Sequence, residues 1–143
     1  MKELCTKIEI SASAEKVWQI LTNFPQYPEW NPFITSVSGQ AIVNEKVDVS
    51  IHSVSKQIKL HCTIVRVVPN KLLVWEYHVT HPILFRGEHH LSIEAIDVER
   101  VCFIDSEIFN GILVFTQAKD LDTNTKQGFM AMDHALKTRA ERK

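Results

Sequence analysis

The sequence predicts an α+β fold in which an antiparallel sheet is covered on one side by a single long C-terminal helix. Three observations carry this. Successive strand-like runs in the middle of the chain sort into one apolar and one polar face; the last twenty or so residues repeat apolar side chains at helical spacing without a proline; and a short amphipathic helix follows the first strand. The order is one strand, one short helix, six antiparallel strands and one long helix.

The first strand is Leu4 to Ile10, alternating Leu4, Thr6, Ile8 and Ile10. Ser11 and Ser13 then offer N-caps, and Val17, Ile20, Leu21 and Phe24 fall at i, i+3, i+4 and i+7, the core face of a short helix. Pro25 ends it. From Phe24 to Phe33 a large ring recurs every three residues, with Pro25, Pro28 and Pro32 between. Proline removes backbone donors and restricts the residue before it, so the segment is expected as a stiff, extended loop. Its rings need an apolar partner, and Trp30 and Phe33 are expected at the end of the sheet as a plug or gate.

Three hairpins follow. A turn near Ser53 to Lys56 sets Val47, Val49 and Ile51 with Leu60 and Ile58. A two-residue turn at Pro69-Asn70 pairs Ile64 with Trp75, Cys62 with Tyr77 and Leu60 with Val79, leaving Thr63 with Glu76 and His61 with His78 on the other face. A turn at Val98-Glu99 pairs Leu91 with Ser106, Ile93 with Ile104 and Ala95 with Cys102. Its polar face carries His90 with Glu107 and Ser92 with Asp105. A one-residue slip would exchange every side chain between faces.

The cover runs from about Leu121 to Arg142, with Leu121, Thr125, Gly128, Phe129, Met132, Ala135 and Leu136 at helical spacing. Asp120 and Asp122 stand at its start and Lys137, Arg139, Arg142 and Lys143 at its end, as the helix dipole favours. At about 1.5 Å per residue such a helix spans roughly 30 Å, enough to cross a sheet.

Composition narrows the classes of function. A chain of 143 residues without linker or repeat reads as one domain over 1–143, large enough for a core without staples. Its formal charge of -1, from 16 basic and 17 acidic residues, gives no field for nucleic acid or acidic lipid. Cys5, Cys62 and Cys102 lie in apolar runs and read as buried reduced thiols. The start, Met1-Lys2-Glu3-Leu4, has no apolar signal region and no long apolar span follows, so a cytoplasmic protein without integral membrane association is expected. No cofactor fingerprint is present, and no protein partner can be named. No metal site is expected: His78 and His81, like His89 and His90, would point to opposite faces of a strand.

The order of elements, with Ala14-Glu15-Lys16-Val17-Trp18 opening the first helix, Tyr27-Pro28-Glu29-Trp30-Asn31-Pro32-Phe33 after it, Gly87-Glu88-His89, Glu107-Ile108-Phe109-Asn110-Gly111 and the closing Gly128-Phe129 to Leu136-Lys137, resembles the START-like or SRPBCC superfamily. Within it the chain is most similar to bacterial polyketide cyclase/dehydrase and lipid-transport-like proteins. The resemblance implies a helix-grip fold, a curved antiparallel sheet of about seven strands wrapped around the long C-terminal helix, with an apolar cavity between them. It does not transfer a substrate, because members of one fold do different things.

Acid/base work needs a titratable side chain inside the pocket. The register above turns His61, His78, Glu76, His90, Asp105 and Glu107 to the polar face, and leaves Cys62, Tyr77, Ser106, His89 and, near the end, Arg66 on the other. No catalytic constellation emerges. His89 and Tyr77 are the candidates, their alternatives being a rim histidine against the helix and a tyrosine satisfied by backbone.

Binding asks less of the residues. The expected walls are Leu60, Ile64, Trp75, Tyr77, Leu91, Ile93 and Ile104 from the sheet, Phe129, Met132 and Leu136 from the helix, and Trp30 and Phe33 from the loop, the alternative being that they fill a solid core. The leading reading is a binder of an apolar small molecule or lipid. A small cyclase, hydratase or isomerase on a polyketide-like substrate, and a protein-interaction module using the open sheet or the aromatic loop, stand beside it.

Overall fold

Seven strands build one curved antiparallel sheet: β1 (Lys2–Ile10), β2 (Ile34–Ser38), β3 (Lys46–Ser53), β4 (Lys56–Val68), β5 (Leu72–His78), β6 (Arg86–Asp97) and β7 (Arg100–Asn110), in the order β1-β7-β6-β5-β4-β3-β2. The structure is a computed structural model and describes residues 1–53 and 56–143. Only β1 leaves sequential order, crossing to pair with β7. α1 (Ala14–Thr22) makes that crossing, capped by the Ser13 hydroxyl, which accepts from the Lys16 N–H. The chain closes with α3 (Val114–Asp120), a π-helical turn (Leu121–Thr125) and α4 (Lys126–Glu141), which follow one another without a break.

The covering helix therefore starts seven residues before the expected Leu121, at Val114. From α4, Phe129, Met132, Asp133, Leu136 and Ala140 are buried, a stripe of period close to 3.6 facing the sheet. The π turn inserts one residue's worth of backbone into the helix, a feature that often accompanies functional sites. Its Leu121 is buried.

The aromatic segment is helical. Phe24–Gln26 form a 3₁₀ turn and Tyr27–Trp30 a single-turn helix, α2, each with a proline at its first positions, where no N–H is needed. The three-residue recurrence of rings is thus a helical repeat and not an extended path. It stacks Phe24, Tyr27 and Trp30 edge to face along one side, with Phe24 also against Trp75. Tyr27 is fully buried and its hydroxyl donates to the Leu21 carbonyl at 2.6 Å. Asn31 then accepts from the N–H groups of Phe33 and Ile34, turning the chain into β2.

The sheet has register irregularities at Thr35 in β2, Val65 in β4 and Ile96 in β6, and the latter two bear on which hairpin residues face inward. The first hairpin has the expected pairs, Val49 with Leu60 and Ile51 with Ile58; residues 54 and 55 of its turn lie outside the described residues. In the second, the turn is one residue longer than expected, because Val68 pairs with Leu72 around Asn70, which adopts a left-handed φ of 66°. A bulge at Val65 absorbs the extra residue, so Ile64 still faces Trp75 and Thr63 still faces Glu76. Arg66, beyond that bulge, is exposed. In the third hairpin the turn falls at Val98-Glu99 as expected, with Asp97 opposite Arg100. A bulge at Ile96 then shifts the ladder, pairing Ala95 with Val101, Ile93 with Phe103, Leu91 with Asp105 and His89 with Glu107.

Every inward position of β7 is consequently one residue away from expectation. Val101, Phe103, Asp105, Glu107 and Phe109 are buried, while Cys102, Ile104 and Ser106 are half-buried on the outer face. Ile104 is therefore not a wall residue, and Asp105 and Glu107 do not belong to a solvated face. Of the cysteines, Cys62 is buried, Cys102 half-buried and Cys5 exposed, on the outward parity of β1.

Gly128 of α4 gives a direct test of how tightly this interior is packed. A β-carbon there would overlap the ring of Phe33, which is itself held against Phe129 at a centroid distance of 5.7 Å. Alanine gains about 1 kcal/mol over glycine in a helix interior, but overpacking costs about 1–3 kcal/mol. Gly128→Ala is expected to lower the urea midpoint, and an unchanged or higher midpoint would show that the Phe33 ring can retreat.

Candidate functional site

The inward parity of four strands and the buried stripe of α4 bring six polar side chains together inside the fold. Thr6 on β1 donates its hydroxyl to Asp133 Oδ2 on α4 at 2.5 Å. Asp133 and Asp105 of β7 bear on each other as neighbouring carboxyls, and one buried oxygen of each, Oδ1 of Asp133 and Oδ2 of Asp105, has no other partner among the described residues. Asp105 Oδ1 lies 2.6 Å from His89 Nε2 on β6, and His89 Nδ1 lies 3.3 Å from Glu107 Oε1 on β7. The Tyr77 hydroxyl of β5 donates to Glu107 Oε2 in a short hydrogen bond. His89 is stacked flat on Phe129 at 5.1 Å and meets the edge of Trp75, so its ring cannot rotate freely.

Burial sets the proton affinities of this group. Asp105, His89 and Asp133 are at most 2% exposed and Glu107 only 5%, and loss of water disfavours the charged form of each. Burial pushes Asp105 up to about 7 and Asp133 up to about 8, the two carboxyls also raising Asp133 by their mutual repulsion. Glu107 is raised by burial against the opposing pull of His89, and Tyr77 is raised by burial and by Glu107. His89 is lowered by burial although Glu107 and Asp133 act the other way. Among the described residues, no lysine or arginine figures in the charges acting on these groups.

Tyr77 and Glu107 are also the polar floor of a cavity of about 340 Å³ between the sheet and the start of the covering helix. Its remaining walls are mostly apolar: Phe33, Leu60, Phe85 and Phe109 from the sheet side, Leu113 and Leu121 from the helix side. That size lies in the range of small-molecule sites. A larger cleft of about 450 Å³ lies across Tyr77 on the outer face, lined by polar residues such as His61, Glu76 and Glu88. Gly87 faces Tyr77 across the ladder, and a β-carbon there would sit 2.5 Å from the ring, so the missing side chain is what lets Tyr77 lie between the two.

Of the wall residues expected from sequence, Phe33, Leu60 and Tyr77 line the inner cavity. Ile64, Trp75, Leu91, Ile93, Phe129, Met132 and Leu136 are buried in the core cluster. Trp30 is half-buried against Tyr27. With Phe24, Tyr27 and Phe33 buried, the aromatic segment presents no exposed patch of rings. His89 and Tyr77 both stand beside an acid, as an acid/base site requires, but neither acid was expected there. The signals for the missing members were weak yet present: Thr6 shares the inward parity of Leu4 and Ile10, and Asp133 falls between Met132 and Leu136 on the apolar stripe.

A family model described as polyketide cyclase/dehydrase and lipid transport matches residues 1–141. No match was found among curated proteins. Among solved structures, the aromatase/cyclase Zhui from Streptomyces sp. R1128 superposes with a TM-score of 0.81 at 15% identity, over 99% of this chain and 94% of that one. A START superfamily protein from Mycobacterium smegmatis gives 0.74 at 17% identity, over 97% of both chains. Norcoclaurine synthase from Thalictrum flavum, in complex with a transition-state analogue, gives 0.73 at 12% identity over 97% and 93%. At such identities the likeness is one of fold, and it is the helix-grip fold. Among the described residues no helix is long and apolar enough to cross a membrane.

The raised carboxyls predict an unusual dependence of stability on pH. The folded chain holds protons that an unfolded chain releases near pH 4, so it binds more protons than the unfolded state up to about 7 and 8. Stability contributed by these groups is present at low pH and lost as pH rises through those values. His89, being lowered, acts in the opposite sense only below its ordinary value of 6.5. The melting temperature is expected to fall from about pH 4 to about pH 8, most clearly above 6.5 where His89 no longer opposes the fall, and to fall less in Asp133→Asn, which keeps a donor toward Asp105 without an ionisable proton. A flat profile in the parent chain would contradict the buried acid pair.

Proposed function

Because the chain belongs to the polyketide cyclase/dehydrase and lipid-transport family, we propose that it binds a small, largely apolar molecule in the inner cavity, with the polar end of that molecule against Tyr77 and Glu107. The observation that carries the reading is the cavity itself: mostly apolar walls of about ligand size, with the Tyr77–Glu107 pair at the floor and Ser53, Gln117, Asp120 and Thr125 among the remaining lining. A solid interior would have argued against it. Apolar burial supplies affinity there, and the Tyr77–Glu107 pair supplies orientation. Phe33, from the end of the aromatic segment, and Leu121, from the π turn, both line the cavity.

A second reading, acid/base catalysis on a polyketide-like or other enolisable substrate, is favoured by one specific feature. Tyr77 donates to Glu107 and His89 Nδ1 lies 3.3 Å from it, and Glu107 reaches the cavity, so a titratable group with a raised proton affinity faces the ligand. The similar folds include an aromatase/cyclase and a synthase as well as a protein described only by its superfamily.

The cavity reading is tested by denaturing extraction of the purified protein with mass spectrometry, together with binding of anilinonaphthalene sulfonate. Leu60 is a half-buried wall residue, so Leu60→Trp fills the cavity while disturbing little else. The variant is expected to weaken the probe at least about tenfold, close to 1.4 kcal/mol, with melting nearly unchanged. Equal affinity in parent and variant, with no extractable molecule, would remove the reading. Catalysis would appear as a rate that drops by about 10² or more in Tyr77→Phe while probe affinity is kept.

A further inference from the structure

Thr6, Asp133, Asp105, His89, Glu107 and Tyr77 form a single line of contacts, of which only the last two reach the cavity. Its two ends are fixed donors, the Thr6 hydroxyl toward Asp133 Oδ2 and the Tyr77 hydroxyl toward Glu107 Oε2. Between them lie three contacts: Asp133 to Asp105, Asp105 to His89, and His89 to Glu107. Each needs one hydrogen, because carboxylate oxygens and bare imidazole nitrogens are acceptors only. Asp105 Oδ2 and Asp133 Oδ1 are buried and lack any other donor, so the hydrogen between the two acids must be their own.

Three protons shared among three carboxylates and an imidazole leave one negative charge, whichever side of each contact a proton occupies. A fourth proton can go only to an end of the line, since both oxygens of Asp105 and both nitrogens of His89 are engaged. Of the two end oxygens, each accepting from a hydroxyl, Asp133 Oδ2 lies away from the cavity and Glu107 Oε2 lies at it. Protonating the latter would turn that oxygen from an acceptor into a donor toward Tyr77.

We propose that Asp105 and Asp133, although neither lines the cavity, are positioning residues that act through His89 to keep Glu107 a hydrogen-bond acceptor, and that the ligand's polar end is therefore a hydrogen-bond donor such as a hydroxyl. The inference rests on the cavity reading above. Two donors, the His89 N–H and the Asp133 O–H, hold the single charge on Asp105; removing either moves it to Glu107 and makes Glu107 more basic. The titratable and charged groups facing Glu107 are Cys62 from β4, Tyr77 from β5, His89 from β6, Asp105 from β7 and, across the cavity, Asp120 from α3, while Asp133 from α4 faces Asp105 and His89.

The test compares 2-naphthol with its methyl ether, 2-methoxynaphthalene, in binding titrations from about pH 5 to 8 on the full chain. The parent chain is expected to prefer 2-naphthol at least about tenfold at the upper end and to lose that preference on acidification, while the ether binds equally throughout. Asp133→Asn still donates to Asp105 and should keep the midpoint. Asp133→Leu should raise it by about one pH unit or more, and Asp105→Asn, which removes a like charge that raises Glu107, should lower it. A purely structural role would instead weaken both probes alike in all three variants and leave the midpoint where it was, which overturns the inference. So does an equal affinity for the two probes in the parent chain at every pH. If Asp133→Leu or Asp105→Asn does not fold, the parent titration and Asp133→Asn decide alone, loss of the hydroxyl preference in Asp133→Asn being the contrary result. Binding of neither probe removes the cavity reading and this inference together.

Discussion

The parity of β7 is the constraint on which the rest depends, and one extra residue sets it. The bulge at Ile96 lies between the pairs Ala95–Val101 and Asp97–Arg100. With it, Phe103 and Phe109 are driven into the core, and Asp105 and Glu107 go with them. Without it, Ile104 and Ile108 would face inward and both acids would meet water. Burying a large apolar side chain is worth about 1.5–3 kcal/mol, whereas an unpaired buried charge costs several. The observed register is thus stable only because each acid finds a partner: Asp133 and His89 for Asp105, His89 and Tyr77 for Glu107. Register and buried polar line require one another.

That requirement links distant parts of the chain. Thr6 comes from the first strand, Asp133 from the last helix, and the remaining members from three adjacent strands. The line ties the covering helix to the sheet at its middle, while the stretch nearer Val114, with the π turn, stands off far enough to leave the cavity. The stacking of His89 on Phe129 and the contact of Phe33 with Phe129 close the space behind it. Removing one member of such a buried set is expected to be costlier than the net worth of any single bond, because its partner is left unsatisfied.

Much of the architecture was legible from periodicity. The apolar alternation of β1, the stripe of α4 and two hairpin registers follow from residue type alone, as does the resemblance to a helix-grip fold. In the second hairpin Ile64–Trp75 and Thr63–Glu76 came out as expected because two deviations cancel, a longer turn at Pro69 to Lys71 and the bulge at Val65, but the ladder ends there, short of the expected Cys62–Tyr77, His61–His78 and Leu60–Val79. In the third only the bulge occurs, and nothing in Ala95-Ile96-Asp97 marks it. The site was lost with it. A pattern argument puts Asp105 and Glu107 outside because they are charged, and a buried acid is stable only through partners such as Asp133 that are far away in sequence. The aromatic segment was misread for a related reason: prolines at the first position of a helical turn support it, whereas inside a turn they break it.

The central claim, that an unbroken line of shared protons runs through the interior to the cavity, is tested most directly by neutron diffraction from a perdeuterated crystal near neutral pH. The expected map has one deuteron in each of the three contacts Asp133–Asp105, Asp105–His89 and His89–Glu107, with the Tyr77 hydroxyl directed at Glu107 Oε2. A contact without a deuteron, a water between Asp105 and His89, or Asp105 and Glu107 turned to the outer face would contradict it.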